Sequence, residues 1–267
     1  MLNKQLAFKL KYLKKKYKNK SAIIFGNGPS VSSINFDLLK KNKNIITFST
    51  NQISEICINN EWFPDLYAAF FCEPLRGRKY KLNLFKSINY SGSYKNALIA
   101  QKNIKFILKN NTTECFLNSW YKVFLDKTEN SHFIKPFLWD RFKEFPENAF
   151  DLYKLPNQFL WNSATTPLFQ LCFNFEFKNI AIIGQDGYFK NKKNNHYEGY
   201  VGSEPKDPDK IDSANIRIGK LLDACKYYSN KNNINIYNLS LNSKFSHFKK
   251  ISLDEYISKI DLNSYIK

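Results

Sequence analysis

Apolar residues return at spacings of three and four through the first twenty positions: Leu2, Leu6, Leu10, Leu13 and Tyr17, with Phe8 nearby. That spacing lays one apolar stripe along a helix. Further on the pattern changes to short runs rich in β-branched and aromatic residues, separated by longer mixed segments, which predicts a parallel sheet covered by helices. Strands are expected over 21–25, 45–49, 66–71, 104–108, 180–183 and 234–237, and helices over 31–41, 165–177, 213–228 and 252–260. The fold class that follows is α/β, Rossmann-like and doubly wound. A basic amphipathic helix over 1–20 precedes a domain over 21–267. Residues 118–157, rich in aromatics, Pro and Lys, show no clean period and are expected to form a helical excursion beside the site.

Composition narrows the class. Aromatic residues make up 16% of the 267 residues, more large apolar surface than a disordered chain carries. No apolar run approaches the ~18–20 residues that cross a bilayer, and the lysine-rich start does not read as a signal peptide. A cytoplasmic location is therefore expected. The five cysteines, Cys57, Cys72, Cys115, Cys172 and Cys225, are scattered without zinc or redox spacing, and read as reduced, buried apolar residues.

The formal charge is +18, and the first twenty residues hold eight lysines and no acid. Two readings of the basic helix stand side by side. It lies on an anionic membrane surface, making the protein peripheral to the inner membrane, or it packs its stripe on the body with the lysines solvated. Only four of the 41 basic residues are Arg, and the Arg forks that read guanine edges are nearly absent, so nucleic acid is not an expected partner.

In doubly wound folds ligands gather where the strands end. The first strand runs into Gly26-Asn27-Gly28-Pro29-Ser30. Glycines permit a sharp turn and close backbone approach, and Ser30 or Ser32 can cap a helix whose first amides favour phosphate. The same residues also make an ordinary tight turn, and the dinucleotide and P-loop fingerprints are both incomplete. The second strand ends in Ser49-Thr50-Asn51-Gln52, uncharged groups suited to ribose, base or sugar. A later strand ends in Gly184-Gln185-Asp186-Gly187-Tyr188, soon followed by Asn195-His196-Tyr197-Glu198-Gly199-Tyr200. Of the three histidines, His196 alone lies close to a strand-end acid, and it reads as a general base or as a solvated loop residue. Asp207-Pro208-Asp209 reads as a turn, so no metal site is expected.

On IIFGNGPSVSSINFDLL, FSTNQI, LYAAFFCEP, FKNIAIIGQDGYF, NNHYEGY and INIYNLSLNSKFSHF, the chain resembles the bacterial lipooligosaccharide sialyltransferases of glycosyltransferase family 42. It shares the GNGPS-like opening, and GQD followed by a His-x-x-Gly loop, with the Maf and archaeal pterin-pyrophosphokinase group. The first resemblance implies a single-domain GT-A-variant fold with a short lid at about 187–210. It also implies a metal-independent inverting transfer of sialic acid, or a related legionaminic, pseudaminic or Kdo-type sugar, from CMP to the hydroxyl of a lipid-linked surface glycan. No cofactor beyond the CMP-sugar donor is implied. Asn27 and Asn51, within the Gly26–Gly28 turn with Pro29 and Ser30 and at the second strand end, match the residues that hold nucleotide and donor. Ser163 or Thr165 matches a donor-binding hydroxyl, with Gly184 and Asp186 beside it. Tyr188 and Tyr197 match tyrosines at the departing phosphate. The family's histidine falls on Tyr200 here, which leaves His196 or Glu198 to deprotonate the acceptor. The second resemblance implies a nucleotide-dependent pyrophosphokinase, and a non-catalytic binding module is a third reading. A second copy of the chain is a further partner left open.

Overall fold

The computed structural model describes residues 4–70, 91–123, 125–134, 137–138, 145–156, 158–161, 163–188, 195–198 and 208–265. Its centre is an eight-stranded sheet built from β1 (Ser21–Phe25), β2 (Ile45–Thr50), β3 (Leu66–Ala69), β4 (Glu114–Asn118), β5 (Ser131–Ile134), β8 (Asn179–Ile183), β9 (Asn235–Asn238) and β10 (Lys249–Lys250). A separate two-stranded sheet joins β6 (Phe137–Leu138) to β7 (Leu160–Trp161). In the large sheet the order is β10-β9-β8-β1-β2-β3-β4-β5, with every neighbouring pair parallel.

Strands β1 to β4 are buried along their whole length, as parallel strands covered on both faces must be. Alternate residues serve opposite faces. Ala22 and Ile24 join Phe48, Leu66 and Phe116 on one face, which is covered by α1 (Lys4–Lys16), α5 (Ala149–Leu152), α6 (Thr166–Asn174) and α7 (Pro208–Lys231). Ile23 and Phe25 join Tyr67, Leu117 and Ile183 on the other, beneath α2 (Phe36–Lys41), α3 (Ser54–Asn59), α4 (Ser91–Leu108) and α8 (Leu253–Tyr265). Cys57, Cys115, Cys172 and Cys225 are free thiols buried in these layers. The order reverses at β1: β2 to β5 extend to one side, β8 to β10 to the other. Such a switch point opens a crevice beyond the carboxyl ends of the two central strands.

The structure corrects several expected elements. Residues 104–108 are the last turn and a half of α4, not a strand. Ile104 and Ile107 are both fully buried three positions apart with Lys105 exposed between them, a helical spacing that a five-residue window of apolar letters conceals. The strand of that region is β4, ten residues on. The helix expected over 31–41 is two pieces: a 3₁₀ turn at Pro29–Ser33 and α2, capped by Asn35, whose side chain accepts from the Leu38 amide at 3.1 Å. Neither Ser30 nor Ser32 caps a helix. The stretch 118–157 is not a helical excursion among its described residues: it supplies edge strand β5, β6 and the four-residue α5. Pro208 opens α7 where a turn was expected, its missing N–H costing nothing at a helix start. Of the expected lid, 189–194 and 199–207 lie outside the described residues.

The apolar stripe of α1 packs on the body. Leu6, Leu10, Leu13 and Tyr17 are 8%, 3%, 0% and 3% exposed and belong to the same core as the sheet. The stripe itself is therefore not available to a bilayer. Ion pairs Lys9–Glu114 (2.5 Å) and Lys14–Glu176 (2.7 Å) fix the helix from either side of the stripe. No described helix is long and apolar enough to cross a membrane.

Candidate active site

Two loops cross at the switch point, and glycine makes the crossing possible. The Gly26 amide donates to the Ile183 carbonyl at 2.7 Å and the Gly28 amide to the Gly184 carbonyl at 2.8 Å. A Cβ on Gly26 would stand 2.3 Å from the Gly184 oxygen; one on Gly28 would stand 2.2 Å from Asp186 Oδ2. Gly184 adopts φ +73°, a left-handed conformation that suits glycine. These glycines serve the contact between the turns after β1 and β8.

Hydroxyls and one carboxylate finish the crossing. Ser30 Oγ lies 2.7 Å from Ser240 Oγ, just beyond β9, and both oxygens accept from the Gly184 amide, at 3.0 and 3.1 Å. The Ser30 amide donates to Asp186 Oδ2 at 2.9 Å. The carboxylate thus occupies the position expected for a phosphate, and the 3₁₀ turn that begins at Pro29 offers no anion cradle. Ser30 and Asp186 thus hold each other across the two turns.

Two side-chain oxygens near the carboxyl ends of β1 and β2 are buried. Asn27 is 8% exposed, its Oδ1 buried with no hydrogen-bond partner; Ser49 Oγ on β2 is likewise buried and unpartnered. A buried polar oxygen left without a partner costs about 1–3 kcal/mol. Asn51 sits at φ 56°, left-handed for a residue with a side chain. Fully buried Tyr67 holds it there by donating its phenol to the Asn51 carbonyl at 2.6 Å. Burial pushes that phenol well above its usual pKa, with nearby Tyr121 adding to the effect, so Tyr67 remains a donor. On the far side Thr165 Oγ1 donates to Gln185 Oε1 at 3.1 Å, with Ser163 Oγ 3.1 Å from Thr165 Oγ1. Ser163 and Thr165 thus reach the edge of the crevice through Gln185, at the start of α6.

Residues 195–198 close over the first two turns. Tyr197, 3% exposed, receives its place from its own amide, which donates to the Asn27 carbonyl at 3.1 Å, and from its phenol, which donates to the Gln52 carbonyl. Tyr197 thus acts as a strap between the β1 and β2 turns. Half-buried His196 meets Tyr188 edge-on, ring centroids 5.8 Å apart. The Tyr188 backbone is gripped by Asn215 of α7, which accepts from its amide at 2.7 Å and donates to its carbonyl at 2.9 Å. Glu198 is exposed; Gly199 and Tyr200 lie outside the described residues. The other histidines stand elsewhere, His132 on Glu114 at 2.9 Å and His247 on Asp223 at 3.2 Å. Among the described residues no three His, Cys, Asp or Glu converge as a metal site.

The family model described as 6-hydroxymethylpterin diphosphokinase MptE-like matches residues 2–192. The chain belongs to the MptE-like family. The match embraces the ends of β1, β2 and β8 and stops short of His196 and Tyr197. No curated protein matches the chain in sequence. A solved structure with a similar path is that of the Maf glycosyltransferase from Magnetospirillum magneticum AMB-1, at 11% identity and a TM-score of 0.48, over 93% of this chain and 37% of that one. The chain thus spans well under half the length of that protein.

In this MptE-like chain the structure brings Gly26, Asn27, Gly28, Ser30, Asn51, Ser163, Thr165, Gly184, Asp186, Tyr188, His196 and Tyr197 to one edge of the sheet. Sequence reasoning passed over Gln185, Ser240, Asn215 and Tyr67. Ser240 follows β9 directly, so the strand-end rule reaches it; Tyr67 and Asn215 carry no local signal, since each acts on a turn distant in sequence.

Proposed function

We propose that the crevice binds a nucleotide-activated substrate and that the protein transfers a CMP-activated keto acid sugar, of the sialic, legionaminic, pseudaminic or Kdo type, to a glycan hydroxyl. The observation that carries this reading is the set of uncharged groups at the strand ends: Asn27 Oδ1 and Ser49 Oγ, both buried and unpartnered near the ends of β1 and β2, with Asn51 just past β2 and the Thr165–Gln185 pair just past β8. Amides and hydroxyls recognise a base or sugar without placing charge beside its phosphate. Departure of CMP builds negative charge on phosphate and positive charge on the anomeric carbon, and donors held in place favour that separation. Tyr188 is the phenol suited to meet the phosphate. Half-buried His196 is suited to take the proton of the incoming hydroxyl, a part worth about 10²–10⁴-fold in rate.

A second reading rests on the family. Diphosphoryl transfer to a pterin alcohol, the activity in the family's description, would have the hydroxyl oxygen attack the β-phosphorus of ATP, with AMP leaving and the proton passing to a base. The same His196 would serve.

Thermal-shift titration separates the two. A ligand present at 100 times its Kd stabilises by about 2.7 kcal/mol. Stabilisation by CMP in EDTA, followed by CMP release from a CMP-sugar, is the expected result. Stabilisation by ATP that requires magnesium, with none by CMP, overturns it in favour of diphosphoryl transfer.

A further inference from the structure

The side of α1 that faces away from the core has a composition that helix packing does not explain. Opposite the stripe of Leu6, Leu10 and Leu13 lie Lys4, Phe8, Lys11, Tyr12 and Lys15, all exposed. Phe8 is 75% exposed, the most of any large hydrophobic among the described residues, and Tyr12, one turn on, is 51% exposed. Lysines alone on this face would be ordinary solvation; two aromatic rings set among them, of which Tyr12 meets the Lys9 ammonium, 5.5 Å from its centroid, expose large apolar surface.

Charge is distributed to match. The lysines on the flanks are neutralised from within, Lys9 by Glu114 and Lys14 by Glu176. Lys4, Lys11 and Lys15 make no ion pair among the described residues, and the helix contains no acid. At its amino end opens a cavity of about 760 Å³ lined by Lys4, Phe8, Lys9, Lys127, Glu129 and His132, in which cations outnumber the one carboxylate.

We propose that this outer face docks on an anionic lipid bilayer, Phe8 and Tyr12 entering the headgroup region, Lys11 and Lys15 lying over lipid phosphates and the cavity taking a headgroup. Aromatic rings favour the apolar–aqueous boundary and lysines anionic headgroups, so rings and charges act on one surface. The apolar stripe stays in the core, so docking needs no unfolding. The ties of α1 run to Glu114, the first residue of β4, and to Glu176, which precedes β8. These are the amino ends of the strands, opposite the crevice, so docking leaves the crevice open. The inference stands independently of the reaction proposed above.

Vesicle co-sedimentation of the full chain tests it, using phosphatidylcholine alone and phosphatidylcholine with phosphatidylglycerol. The wild-type chain is expected to pellet only with the anionic vesicles and to be released by high salt. Each surface lysine contributes about fivefold, so Lys4→Gln/Lys11→Gln/Lys15→Gln should lower partitioning by roughly 10²-fold. Phe8→Ala/Tyr12→Ala should lower it by roughly tenfold. All five side chains are exposed, so both variants should melt with the wild type and respond equally to nucleotide. Equal binding to the two vesicle types overturns the proposal, as does wild-type partitioning by both variants. Retention on single-stranded DNA without vesicle binding overturns it as well, and assigns the face to nucleic acid.

Discussion

Substituting the glycines at the loop crossing separates two explanations of the GNG turn. If the glycines exist to let a ligand approach, alanine there weakens binding and spares the fold. If they exist to let two loops cross, alanine damages the fold first. The structure favours the second and ranks the sites. At Gly26 the new Cβ meets only backbone, the Gly184 oxygen at 2.3 Å and its carbon at 2.8 Å, so nothing can rotate aside. The turns must part, at the expense of the Gly26–Ile183 and Gly28–Gly184 hydrogen bonds. With their groups left unsatisfied, Gly26→Ala should cost about 3–5 kcal/mol. At Gly28 the Gly184 carbonyl oxygen also stands close, at 2.8 Å, but the first obstacle is a side chain, Asp186 Oδ2 at 2.2 Å, which can swing away. What goes with it is the bond from the Ser30 amide, so Gly28→Ala should cost about 1.5–3 kcal/mol. Gly219, inside α7 with nothing within 4 Å of its Cβ position, is the internal control. Alanine there should stabilise by about 0.5–1 kcal/mol. Urea denaturation of the three variants measures the order, and each kcal/mol corresponds to about 2–4 °C in Tm at this size. Wild-type stability in Gly26→Ala, with nucleotide binding lost, would refute the reasoning.

Tyr197→Phe removes the phenol that holds the Gln52 carbonyl and should cost about 1 kcal/mol; calorimetry should also show weaker nucleotide binding, since the β1 and β2 turns lose their strap. His196→Ala should lower transfer by about 10²–10⁴-fold while leaving the nucleotide-induced shift in Tm unchanged. Glu114 carries a pH prediction. Burial pushes its carboxyl upward, but hydrogen bonds from His132 and Lys9 outweigh that and hold it below the usual range. Its stabilising contribution is then present above the ordinary carboxylate range and is lost as pH falls through the lowered value. Glu114→Gln should therefore flatten the acid limb of a stability–pH curve and lower stability at neutral pH by about 1–3 kcal/mol. Leu13→Ala, at a fully buried position of α1, should cost about 2–5 kcal/mol in the single transition of the whole domain, where a helix not packed on the body would give no change.

The sheet was legible because its strands are short runs of four to six residues rich in β-branched and aromatic side chains, a pattern that in an alternating α/β chain has few other readings. The misplaced strand over 104–108 shows where the pattern fails: IKFIL is equally a piece of α4, and only the continuation back to Ser91 reveals the period. The stripe on α1 was legible as a stripe, but not which surface it meets. A bilayer and a protein core reward the same spacing. What decides is Glu114 and Glu176, placed more than a hundred residues away to receive Lys9 and Lys14.

The GNGPS turn presents the same ambiguity in a form that bears on chemistry. Glycine, a following serine and a helix start are the local marks of a phosphate cradle, and they are equally the marks of two loops pressed together. The residue that separates these cases is Asp186, 156 positions after Ser30. An anion supplied by the chain itself sits at the amide where a ligand's anion was expected. Asn27 is the residue of the turn that remains unsatisfied, and it is uncharged. On the proposed function, then, the turn would act on a ligand through its amide and not through its glycines. Asp186→Asn tests that division of labour: removal of the internal charge should weaken the Ser30 bond and cost about 1 kcal/mol of stability. Affinity for a phosphate-bearing nucleotide should hold or rise as the repulsion goes. A collapse of affinity in Asp186→Asn at unchanged stability would mean that the carboxylate touches the ligand directly, and would return the cradle to the phosphate.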